Sequence, residues 1–115
     1  MLNITLTDHY ITAHELLLEE ESYNEEVVVE ASIEPFHLTC SIGNDCNGTY
    51  VTWNLRYYDA FIEHKTITIH NVALNVFDHE ELLVETKYKF RQLLFKAANR
   101  AGSIAQCAQE QLAQL

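Results

Sequence analysis

Residues 36–58, FHLTCSIGNDCNGTYVTWNLRYY, decide the fold. Phe36, Leu38, Cys40 and Ile42 recur at every second position, and so do Val51, Trp53, Leu55 and Tyr57. A period of two puts each set on one face of an extended strand. Between the sets, Gly43 to Gly48 (GNDCNG) is rich in turn formers, and Asn47-Gly48 is a strong hairpin signal because both residues accept positive φ. The stretch predicts two antiparallel strands, each with one apolar face.

The same period extends upstream. In Glu26 to Glu34 (EVVVEASIE), Val27, Val29, Ala31 and Ile33 are expected to point one way. Glu26, Val28, Glu30, Ser32 and Glu34 are expected to point the other. Pro35 has no N–H and interrupts the pairing. Leu2 to Thr7 alternates as a further short strand. A helix is expected from about Tyr10 to Glu21, where Ile11, His14 and Leu18 share a face. Thr12 and Glu15 have capping-box spacing there, with Asp8 a competing start. Glu15 and Glu19 repel at i,i+4, so this helix needs a docked apolar face.

Downstream, Ile67 and Ile69 are followed by Val72, Leu74 and Val76, a phase slip that predicts a bulge or tight turn near His70-Asn71. Asp78 to Arg100 is the clearest helix, with Asp78 and Glu81 spaced as a reciprocal N-cap pair. Leu83, Phe90, Leu94 and Ala97 line one of its faces, and Glu85 to Lys89 is a favourable i,i+4 pair. Gly102 breaks it, and Ser103 is expected to cap a last short helix carrying Ile104, Ala108 and Leu112. The fold class read from this order is α+β: an antiparallel β-sheet of about four to five strands with helices packed on one face. Residues 1–115 form a single acidic domain.

Charge divides the chain more sharply than fold does. Residues 1–55 hold ten Asp/Glu and no Lys/Arg; residues 56–85 carry −4 and residues 86–115 carry +4, for a formal net charge of −10. Such a field repels nucleic acid and attracts basic proteins. Met1 to Leu18 lacks the basic start and unbroken apolar run of a secretory signal, and no segment has the length of a membrane span, so the chain reads as cytoplasmic. The triplets Asn3-Ile-Thr5 and Asn47-Gly-Thr49 then carry little weight as glycosylation acceptors. Cys40 and Cys46 could pair across a turn, leaving Cys107 odd, but a reducing compartment weighs against it.

Catalytic and metal chemistry find little support. His37, Cys40 and Cys46 give H-x2-C-x5-C, yet His37 and Cys40 fall in opposite strand phases and cannot converge on one zinc ion. His14-Glu15 lacks the second histidine of HExxH, and no phosphate cradle, nucleophile elbow or CxxC occurs. No enzyme, metal or cofactor is expected. Lys87, Lys89, Arg91, Lys96 and Arg100 spread around the long helix without stacking aromatics, which argues for solubility or neutralisation rather than nucleic-acid contact.

The segment from Glu15 to Glu30, ELLLEEESYNEEVVVE, holds seven glutamates and no lysine or arginine. With Asp45, Asp59 and Glu63 it gives the chain its likeness to a known class. In size, charge and absence of a catalytic motif the whole chain resembles the small acidic inhibitors of bacteriophages and mobile elements, including anti-CRISPR proteins that mimic DNA. The resemblance implies a cytoplasmic inhibitor that occupies the DNA-binding surface of a CRISPR surveillance complex or another basic DNA- or RNA-binding protein. Glu19, Glu20, Glu26, Glu30 and Glu34 are the candidate partner-binding residues. The basic last quarter departs from a uniformly acidic mimic. The alternative is a small homo-oligomeric or adaptor domain whose partner docks on the sheet or the last helix, a reading that an exposed stripe of Trp53, Leu55 and Tyr57 would favour; a homodimer stays open under either reading.

Overall fold

Five strands lie side by side in chain order in the computed structural model, which describes residues 2–10, 12, 24–45, 48–69 and 78–115. They are β1 (Asn3–Leu6), β2 (Asn24–Ile33), β3 (Phe36–Asp45), β4 (Gly48–Tyr57) and β5 (Ala60–Thr68), each antiparallel to its neighbour. Two helices follow, α1 (His79–Ala98) and α2 (Ser103–Leu112). The α+β class with an antiparallel sheet is as the sequence predicts. The expected helix from Tyr10 to Glu21 and the expected break near His70-Asn71 lie almost wholly outside the described residues.

The β3–β4 hairpin runs without a slip from Asp45 opposite Gly48 to Phe36 opposite Tyr57. Its alternation is therefore preserved. Phe36, Leu38, Cys40, Ile42, Val51, Trp53 and Leu55 are all buried, each large apolar side chain contributing about 1.5–3 kcal/mol of transfer energy. Trp53 and Leu55 are thus core, and the exposed stripe that would have favoured an adaptor is absent at these two positions. Period two on a central strand marks the face the helices cover, and α1 covers it here: Trp53 Nε1 donates to Thr86 Oγ1 of α1. Tyr57 is half-buried, with its hydroxyl 3.8 Å from Cys107 Sγ of α2. Both helices pack on this one face.

β2 breaks its own alternation. Val27 pairs with Ser41 and Val29 with Cys40, so Val28 is an extra residue in a β-bulge. Val28 and Val29 are consecutive and both buried. A bulge inserts one residue and inverts the phase of everything beyond it. Glu26 consequently sits opposite Ile42 on the helix side, whereas Glu30 sits opposite Thr39 on the open side. The expected common face for Glu26, Glu30 and Glu34 does not hold. A cis Glu34–Pro35 bond lies in the turn to β3, where Tyr58 N donates to the Pro35 carbonyl at 3.0 Å.

α1 is capped by Asp78, as predicted. Asp78 Oδ1 accepts from the backbone N–H groups of Glu80 at 3.0 Å and Glu81 at 3.3 Å, satisfying two of the orphan donors of the first turn. Leu82, Thr86, Phe90, Leu93, Leu94 and Ala97 form its buried face, and Lys89 Nζ meets Glu85 Oε1 at 2.8 Å. Gly102, at φ 83°, takes the N-cap position of α2. Ser103 is the first helical residue and makes no side-chain cap, contrary to expectation, because the turn is made by glycine's access to positive φ.

Candidate functional site

Three surface regions carry groups that could engage a ligand or partner. The first is the acidic strand β2. Glu25 and Glu30 are exposed, Glu34 is exposed in the turn, and Glu26 is half-buried. Two of these carboxylates are faced by histidines: His9 Nδ1 lies 3.5 Å from Glu26 and His37 Nε2 lies 3.6 Å from Glu34. The lysine and arginine ion pairs among the described residues are elsewhere, at Lys89–Glu85 and Arg100–Glu63. The β2 carboxylates therefore form a field that no lysine or arginine pairs with, divided by the bulge into a helix-side part at Glu26 and an open-side part at Glu30 and Glu34. Glu19 and Glu20 lie outside the described residues.

The second region is the open face of the sheet. A depression of about 230 Å³ is lined by Glu30, Ser32, His37, Thr39 and Arg56 together with Asn3 and Thr5 of β1. Arg56 stands over the Phe61 ring at 5.9 Å, and its buried Nε has no hydrogen-bond partner. The lining sets one permanent cation, Arg56, beside one carboxylate, Glu30. Sequence reading missed Arg56, whose placement depends on cross-strand register opposite His37.

The third region is the solvent side of α1, where Val84, Tyr88 and Phe95 are 69%, 57% and 64% exposed. These lie opposite the buried face and were also missed. Their spacing was present in the sequence, but a helix with two apolar stripes shows no clean polar side against which to recognise either. Depressions flank Phe95. One of about 220 Å³ lies between Tyr88, Arg91, Gln92 and Phe95, and one of about 460 Å³ is rimmed by Lys65, Lys89 and Lys96.

The zinc pattern does not assemble. Cys40 is buried in the core and burial pushes its thiol up to about 12, the opposite of what a metal ligand needs. His37 faces the open side, pairing across the sheet with Arg56, and Cys46 lies outside the described residues. Among the described residues no group of three or more His, Cys, Asp or Glu is placed to hold a metal ion, and no helix is long and apolar enough to cross a membrane. No protein-family model, curated protein or solved structure matches the chain.

Proposed function

We propose that this protein is a non-catalytic inhibitor, acting in the cytoplasm, that binds a basic DNA- or RNA-binding protein or a CRISPR surveillance complex. Its carboxylates would occupy the surface that takes DNA. The observation that carries the reading is the acidic field of β2 and the turn after it: Glu26 and Glu34 are faced by histidines, which are charged only when protonated, and Glu25 and Glu30 are exposed on the strand. Fixed negative charge of this kind attracts a groove already lined with lysine and arginine, and its ordering cost is smaller than that of a disordered acidic tail. The bulge narrows the proposal. Glu30 and Glu34 belong to one contact surface, and Glu26, on the helix side, lies apart from it.

A second reading, an adaptor or homo-oligomeric domain, is favoured by the exposed apolar side chains of α1. Salt separates the two, since acidic–basic association weakens steeply with ionic strength and an apolar seam does not. The deciding experiment is capture of the partner from a host lysate, followed by competition with duplex DNA. A recovered nucleic-acid-binding protein from which duplex DNA and this protein displace each other supports the inhibitor. A partner that holds both together sinks the mimicry and favours the adaptor.

A further inference from the structure

The solvent side of α1 supports an inference that is independent of the acidic field. At about 100° per residue, Val84, Tyr88, Arg91 and Phe95 fall in a stripe roughly 60° wide, opposite the buried Leu82, Thr86, Phe90 and Leu93. Their separations are four, three and four residues, a sequence that reads the same from either end. We infer that α1 packs antiparallel against α1 of a second copy of this chain, about a two-fold axis crossing the helix near Lys89 and Phe90. A two-fold contact must be self-complementary, and this stripe is. The axis sets Val84 against Phe95 of the partner subunit and Tyr88 against Arg91 of the partner subunit. The first pair is apolar, and the second joins a guanidinium to an aromatic ring.

Shape and charge agree with that occupant. The 220 Å³ depression is bounded by Tyr88, Arg91, Gln92 and Phe95, at the i, i+3, i+4 and i+7 positions that make the hole of a knobs-into-holes contact. Tyr88 of the partner subunit is the knob that the axis brings over it. α1 carries Glu80, Glu81 and Glu85 against Lys87, Lys89, Arg91 and Lys96, so it is close to neutral in a chain of net charge −10. Two copies repel least on this face. The antiparallel arrangement also brings the acidic first turn beside the basic last turn of the other helix, aligning both helix dipoles favourably.

Sedimentation equilibrium over the micromolar range is the test. The expected result is a mass rising from 13.3 kDa to twice that value, little changed by high salt. Because Tyr88 and Phe95 are exposed in the single chain, replacing both by Ser should leave the helix content seen by circular dichroism in place, weaken dimerisation at least tenfold and remove the dependence of the melting temperature on concentration. Mixing a Val84→Cys chain with a Phe95→Cys chain should yield a disulfide between those two positions, located by peptide mass mapping, which neither chain forms alone. A monomer mass at every concentration overturns the inference. So does a dimer that the double Ser variant leaves intact, an assembly that grows beyond two copies, or a Val84→Cys chain that cross-links to itself at position 84.

Discussion

Trp53 Nε1 donates to Thr86 Oγ1 at 3.1 Å, and the same hydroxyl donates onward to the Leu82 carbonyl at 2.8 Å. One threonine thus satisfies a buried indole N–H on the central strand and returns its own proton to the helix that covers it. Both side chains are fully buried. Thr86→Val preserves shape and leaves the indole unpaired, so it should destabilise the protein by about 1–3 kcal/mol. Trp53→Phe in the Thr86→Val background removes the orphaned donor. A double-mutant cycle from urea unfolding should therefore show the two changes costing less together than their sum, and strict additivity would count against the coupling.

Alkaline stability should depend on Cys40. Burial raises this thiol from 9.0 to about 12, an effect that a hydrogen bond with Thr86 partly offsets. A thiol raised in the folded state contributes stability that is whole below the unfolded value and disappears as pH climbs toward the folded one. Across that window the unfolded chain releases a proton that the folded chain keeps, so stability falls by up to about 1.4 kcal/mol per pH unit from this group. Cys40→Ala should start less stable, because it leaves a cavity, but decline less steeply above pH 9 in stepped-pH urea titrations. Equal slopes for the two proteins would contradict the assignment.

Gly43 makes room for an aromatic ring. Tyr50, directly opposite in register, lies over the glycine, and a Cβ at position 43 would run into that ring. Gly43→Ala should displace it at about 1–3 kcal/mol, the usual range for overpacking, seen as a drop of several degrees in the melting temperature. In a Tyr50→Ser background the same change should cost clearly less. An undiminished loss there would place the constraint in the backbone instead.

The bulge in β2 predicts unequal roles for its glutamates. Glu30→Gln with Glu34→Gln removes charge from the open side, whereas Glu26→Gln acts on the helix side beside His9. With a captured basic partner, the open-side pair should weaken binding more than Glu26→Gln does, at about 0.2–1 kcal/mol per exposed charge. Melting temperatures should hold. Titration calorimetry at two salt concentrations reads the difference, and equal losses would mean the contact ignores the division of faces. Fluorescence anisotropy of labelled duplex or single strand with the protein alone should stay flat even at low salt.

The central hairpin was legible because its alternation meets no irregularity from Phe36 to Tyr57, and the helix start because Asp78 sits where a cap must. Legibility failed where one residue shifts the phase: EVVVE reads as one alternating strand, yet Val28 and Val29 both go inside. Alternation also says which residues share a face without saying what covers it, so the sequence left open whether Trp53 and Leu55 were an exposed stripe or the core they form under α1. Thr86 went unnoticed as a buried residue because its role exists only through a strand more than thirty positions away. The acidic field was plain in the composition. How it divides between two sides was not.

The arginine just past the end of α1 also bears on how the sheet meets other chains. Arg100 donates to the Ile62 carbonyl and to Glu63 Oε1, and Ile62 is the extra residue where β5 slips against β4. Among the described residues β5 is an outer strand, and a bulged outer strand with a carbonyl already taken by a guanidinium is a poor template for a further strand. The opposite border is a strand of only four residues. Among the described residues both borders of the sheet thus discourage neighbouring molecules from extending it by backbone pairing, one of the usual routes by which β-rich proteins polymerise. Association with other chains is left to side chains, whose pairing can be tuned one residue at a time.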